Sequence, residues 1–235
     1  MSHEPTDPAG TVHDPRERWY SPYGGIEFGL SLRWLLAGTL LYAVLLLVAM
    51  AGRPDIATYP LIGPSLYLTP VFGLPFVLGT LNRPGRTRRI GYFLVLLPLA
   101  HVAANYAAWY YASSSFDLAN PGLDPQRDRI AGAIGGTTGA ALSLGLLRLV
   151  QLTTPGRRHL VAILIGIAAL GALGAEAMAR GLQWTDALRR LDDPGRAILW
   201  YEAVHLPWQA LFALWLAWLM RRPREPRPPR PALDG

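Results

Sequence analysis

Six runs of about twenty apolar residues, at 30–51, 60–80, 90–112, 130–152, 159–180 and 196–220, constrain this chain more than any other feature. Each is long enough to cross a hydrocarbon core of roughly 30 Å. A soluble domain would alternate apolar stripes with polar faces, and these runs do not. Inside lipid no water meets the backbone N–H and C=O groups, so segments of this kind fold as helices. The expected fold class is all-α: a polytopic membrane protein, a bundle of about six transmembrane helices. The second run contains Pro60, Pro64, Pro70 and Pro75, so it is expected to be broken or re-entrant.

The segments outside the runs are of a different kind. Residues 1–29 are polar, with Pro5, Pro8, Pro15, Asp7, Asp14 and Glu17, and lack the apolar stretch of a signal peptide. Residues 221–235 are rich in arginine and proline. Both are expected to be disordered tails flanking one helical bundle over 30–220.

Composition removes several chemistries. There is no cysteine, which excludes disulfides, iron–sulfur ligation, thiol nucleophiles and covalently attached c-type haem. There is no lysine either, so all 22 basic residues are arginine and no side-chain Schiff base can form. The net charge of +6 comes from arginines placed beside the ends of the runs, which indicates membrane topology rather than nucleic-acid binding.

Those arginines also give an orientation. The connection 82–89 carries Arg83, Arg86, Arg88 and Arg89 without an acid, and Arg157 and Arg158 follow the fourth run. The alternate connections mix Asp117, Asp124 and Asp128 with Arg127 and Arg129, and Asp186, Asp192 and Asp193 with Arg189 and Arg190. By the positive-inside rule both termini are expected in the cytoplasm, the protein being integral to a bacterial inner membrane. The lipid bilayer is then the first partner, and a second membrane protein is a candidate for another.

Ionisable groups within hydrocarbon are costly and usually face the bundle or a cavity. The polar side chains within the runs are the ionisable His101, Glu176, Glu202 and His205, in the third, fifth and last runs, with the amides Asn105 and Gln209 in the third and last. His101 and Asn105 share a helical face, as do Glu202, His205 and Gln209 at i, i+3 and i+7. At about 1.5 Å per residue, with the expected orientation, all of them fall in the outer half of the membrane or at its midplane. The expectation is an outward-facing polar cavity walled by spans three, five and six. A plainer reading places Glu176 and Glu202 at an interfacial belt with Trp184, Trp200 and Tyr201, and treats His101 and Asn105 as packing contacts. Gly132, Gly135, Gly136 and Gly139 form a small-residue face in the fourth run suited to close helix packing.

His101 and His205, coming from different spans, have the chemistry to ligate one metal ion or one b-type haem. The residue inventory resembles that of CAAX-type intramembrane proteases. Glu176 and Arg180 stand in AEAMAR, Tyr201 and His205 in YEAVH, and His101 and Asn105 in HVAAN. The first glutamate of that pattern is Ala175 here, and the His-x-x-x-Asn piece comes first rather than last. HVAAN and GTTG, with Thr138 where a serine is required, are similar to pieces of rhomboid proteases, on a span of opposite direction. The chain is assigned to neither family.

Three functional classes therefore stand at the level of sequence. The leading one is a membrane protein that binds or passes a small ligand, ion or proton through the cavity. The second is a structural or assembly subunit packed through the glycine face. The third is an intramembrane metal-assisted hydrolase or protease using the Glu/His cluster.

Overall fold

The computed structural model describes residues 25–52, 64–116, 124–153, 156–187 and 193–221, so the tails expected at the two ends lie largely outside the described residues. The described chain is an all-helical bundle. Its helices are α1 (Phe28–Gly52), α2 (Pro64–Gly79), α3 (Arg86–Ser114), α4 (Pro125–Leu149), α5 (Arg157–Ala187) and α6 (Asp193–Leu219). Successive helices run antiparallel and pack as ring neighbours, with α6 closing back onto α1. A backbone hydrogen bond from Ile26 N–H to Met220 C=O, 3.1 Å, ties the start of α1 to the end of α6.

Four helical segments are long and apolar enough to cross a membrane: Phe28–Gly52, Arg86–Ser114, Pro125–Leu149 and Arg157–Gly181. The protein is thus a multi-pass helical membrane protein, but the expectation of six spans is corrected to four that meet both criteria. The two exceptions have different causes. Helix α2 has only 16 residues, with Pro64 at its start and Pro70 and Pro75 inside it. It covers roughly 24 Å at 1.5 Å per residue. Helix α6 has 27 residues, but Glu202, His205, Pro207 and Gln209 and four tryptophans dilute its apolar character.

Local sequence explains the helix boundaries. Asp124 caps α4, its carboxylate accepting from the N–H groups of Gln126 and Arg127 at 3.0 and 3.1 Å, and Pro125 occupies the first turn. That start lies five residues before the one expected from hydropathy. Helix α3 contains a π-helical turn over Tyr92–Leu96, directly before Pro98, whose missing N–H interrupts the α-helical ladder.

The two ends of the bundle differ in charge. Arg33, Arg83, Arg86, Arg157, Arg158 and Arg221 cluster where α1 starts and α6 ends, whereas the other end mixes Asp124, Asp128 and Glu176 with Arg127, Arg129 and Arg180. At the arginine-rich end Arg89 is fully buried. Its guanidinium donates to the carbonyls of Thr80 (2.6 Å), Arg83 (2.9 Å) and Pro84 (2.5 Å), closing the turn between α2 and α3.

The bundle is packed unevenly along its length. The half toward the arginine-rich end is filled by buried Phe76 of α2, Tyr92 and Phe93 of α3, Leu144 and Leu147 of α4, and Leu216 of α6. Phe93 meets Phe76 and Tyr92 edge-on, with ring centres 5.2 and 4.9 Å apart. Such edge-to-face contacts add to the area buried. The other half holds a smaller core of Tyr42, Leu46 and Met50 of α1 with Tyr201 of α6, and beside it a hollow.

Candidate ligand cavity

The hollow is a cavity of about 410 Å³ lined by α2, α3, α4 and α6, with Gly174 and Met178 contributed by α5. Its floor is Phe72 and Phe212, stacked with ring centres 5.9 Å apart, together with Leu97 and Ser143. Its lining reaches Asp128 and Ala112 near the helix ends opposite the arginine cluster. Small residues create the space: Ala104, Ala108 and Ala112 recur every fourth position on α3, with Ala108 and Ala104 facing Gly135 and Gly139 on α4.

The glycines do two jobs. A Cβ at Gly132 or Gly136 would collide with the α5 backbone at Gly174 or Leu170, so these positions let α4 and α5 touch main chain to main chain. Gly135 and Gly139 face Ala108 and Ala104 of α3, and a Cβ there would lie 3.0 and 3.2 Å from the alanine methyls. The small-residue face expected from sequence is therefore used within one chain, between α4 and its two neighbours.

His101 and His205 meet across the cavity, with ring centres 5.8 Å apart. The Nδ1 of His205 lies 2.9 Å from the carbonyl oxygen of Tyr201. A carbonyl can only accept, so Nδ1 carries the hydrogen and Nε2 of the neutral ring keeps its lone pair. Tyr201 and Tyr42 pack on the same imidazole, at 5.7 and 6.3 Å between ring centres. Asn105 lines the cavity one turn outward from His101. Gln209 lines it on the α6 side and is buried.

The two glutamates are placed differently. Glu176 lies off the cavity wall, half exposed and paired with Arg129 at 2.9 Å and Arg180 at 3.3 Å. Glu202 also lies off the lining, with its Oε2 buried and without a hydrogen-bond partner. The geometry thus brings together His101, Asn105, His205 and Gln209, and leaves Glu176 and Glu202 apart from them. The wall differs from the polar one expected, being mainly glycine, alanine and aromatic rings around a few polar atoms.

Sequence reasoning missed the aromatic contributors. Trp200 and Trp208 of α6 line the cavity rather than a lipid interface, and Trp184 alone of the expected belt is strongly exposed. Trp215 likewise turns inward, donating from Nε1 to the carbonyl of Ala162 at 2.9 Å over Gly166. The available signal was pairing of large with small: Gly181 lies beside Trp200, Gly139 beside Trp208 and Gly166 beside Trp215.

Four atoms of the lining residues are buried without a hydrogen-bond partner in the protein: His101 Nε2, Trp200 Nε1, Trp208 Nε1 and Gln209 Oε1. Among the described residues no group of three or more His, Cys, Asp or Glu side chains is arranged to hold a metal ion. The imidazole pair alone falls short of the three protein ligands of a catalytic zinc site.

No protein-family model, curated protein or solved structure matches the chain.

Proposed function

We propose that this protein is a membrane-embedded binding protein that holds a small, largely apolar molecule in the cavity between α2, α3, α4 and α6. The observation that carries this reading is a cavity of about 410 Å³ with mostly apolar walls, among whose residues four carry a buried polar atom without a partner. Ligand pockets are typically a few hundred to about 1,000 Å³ and have this makeup. His101, His205, Asn105 and Gln209 are the polar contacts that fix the ligand's orientation, and Ala104 and Ala108 leave the room for it.

The arginine-rich end faces the cytoplasm of a bacterial inner membrane, and the cavity therefore opens toward the opposite side. Helix α6 crosses with the others despite its polar content. Its polar side chains face protein: Gln209 is buried, and Trp215 is fastened to α5. Polar residues turned inward cost little against lipid.

The reading is tested with 1-aminoanthracene, an apolar fluorophore, added to the protein in lipid nanodiscs. Saturable binding with energy transfer from the cavity tryptophans is expected, above the signal of empty nanodiscs. Ala108→Phe, which fills the cavity from α3, weakens it by at least about tenfold, the loss set by 1.4 kcal/mol of lost contact. Partitioning identical to that of empty nanodiscs overturns the reading.

A further inference from the structure

We propose that the molecule held in the cavity is a neutral, flat compound bearing carbonyl oxygen, of the quinone or aryl-ketone class. This rests on the reading of the cavity as a binding site and adds the chemistry of its occupant.

Charge is the first argument. The side chains of the lining that can carry charge near neutral pH are His101, His205 and Asp128, and no arginine is among them. An anion would find no fixed cation at the depth of the histidines, where an unpaired charge is costly. A cation would find only Asp128 near the mouth, and that carboxylate already lies 3.8 Å from the guanidinium of Arg127. A neutral occupant meets neither penalty.

Hydrogen-bonding capacity is the second. An indole N–H can only donate. The indole nitrogens of Trp200 and Trp208 are buried with no acceptor in the protein. Two further buried atoms of the lining residues are unpartnered: His101 Nε2, which donates in the tautomer that carries its hydrogen, and Gln209 Oε1, which accepts. A polar atom left unpaired in apolar surroundings costs free energy that an acceptor on the ligand would recover. The two indoles are obligate donors without acceptors, so the occupant carries at least one acceptor oxygen.

Shape is the third. On α4 the wall is Gly132, Gly135, Gly136 and Gly139, which present backbone without side chains. Trp208 approaches this wall at Gly139 and packs on Phe212, ring centres 4.8 Å apart. A smooth glycine surface beside aromatic rings suits a planar ring system, which gains stacking on the rings and close contact with the backbone.

The experiment compares three probes of one skeleton on the wild-type protein in nanodiscs: 2-methyl-1,4-naphthoquinone, 2-methylnaphthalene and 2-naphthoate. The chain has no cysteine, so the quinone forms no thioether with it. The quinone is expected to bind at least about tenfold more tightly than the hydrocarbon, as one or two net hydrogen bonds imply, and naphthoate most weakly. Trp208→Phe is expected to lower quinone affinity about fivefold while leaving the hydrocarbon's unchanged. Equal affinity for quinone and hydrocarbon, or tightest binding of naphthoate, overturns the ligand class and leaves the cavity a binding site. Failure of all three probes, the hydrocarbon included, overturns the cavity reading as well.

Discussion

The imidazoles of His101 and His205 face one another across a cavity, 5.8 Å between ring centres, although α3 and α6 stand on opposite sides of the helix ring. Since the chain has no cysteine, their proximity can be measured directly. His101→Cys combined with His205→Cys is expected to react with dibromobimane, which fluoresces strongly once it has joined two thiols. His101→Cys combined with Trp184→Cys is expected to stay dark, Trp184 being exposed near the end of α5. Equal signals from the two pairs would contradict the geometry.

The contact between α4 and α5 predicts a contrast among glycines of one helix. At Gly132 a Cβ would strike the carbonyl of Gly174, whereas at Gly145 nothing lies within 4 Å. Gly132→Ala is expected to destabilise the protein by about 1–3 kcal/mol, the usual cost of overpacking a rigid contact. Gly145→Ala is expected to be neutral or slightly stabilising, since alanine favours the helix. Thermal unfolding in detergent distinguishes them, and equal melting temperatures would refute the close packing.

Arg89 predicts an intolerance of lysine. The guanidinium reaches three carbonyls at once, those of Thr80, Arg83 and Pro84. Arg89→Met leaves them without this donor and is expected to cost at least about 3 kcal/mol, charge-assisted bonds being worth about 1.5–3 each. Arg89→Lys keeps the charge but not the planar fork, and should recover less than half of the loss. Full rescue by lysine would show that charge alone matters there.

Glu202 lies off the cavity lining with one carboxyl oxygen buried and unpartnered. Glu202→Gln removes the charge at nearly constant shape, so stability is expected to hold or rise by up to about 1 kcal/mol. Affinity for 1-aminoanthracene is expected to stay within about twofold of wild type, because no cavity contact is lost. A folded variant with binding reduced tenfold would put Glu202 back into the site.

The asymmetry of arginines predicts the orientation. Phosphatase fusions after Phe116 and Ala187 should be active, and fusions after Arg86 and Arg157 inactive. The reverse pattern would turn the cavity toward the cytoplasm.

The helical character of this chain was legible from its apolar runs, because length against bilayer thickness is a one-dimensional property. The four-residue spacing of His101 and Asn105 likewise placed them on one face, and both line the cavity. Other properties depend on which helices become neighbours. Glu176 shares with His101 the half of the bundle away from the arginine-rich end, yet Arg129 of α4 and Arg180 hold it at the surface. Trp200 was expected at a lipid-interface belt, yet with Trp208 it lines the cavity, where a Cβ at Gly181 of α5 or Gly139 of α4 would make only ordinary contact with their rings. Hydropathy also placed the start of α4 too late, since Asp128 and its flanking arginines masked a helix that Asp124 and Pro125 begin.

The floor of Phe72 and Phe212, backed by Tyr92, Phe93 and Phe76, seals the cavity from the arginine-rich end. On the binding reading proposed above, a chamber floored in this way would fill and empty through the same mouth. Its occupancy would then follow ligand concentration on one side of the membrane rather than a gradient across it.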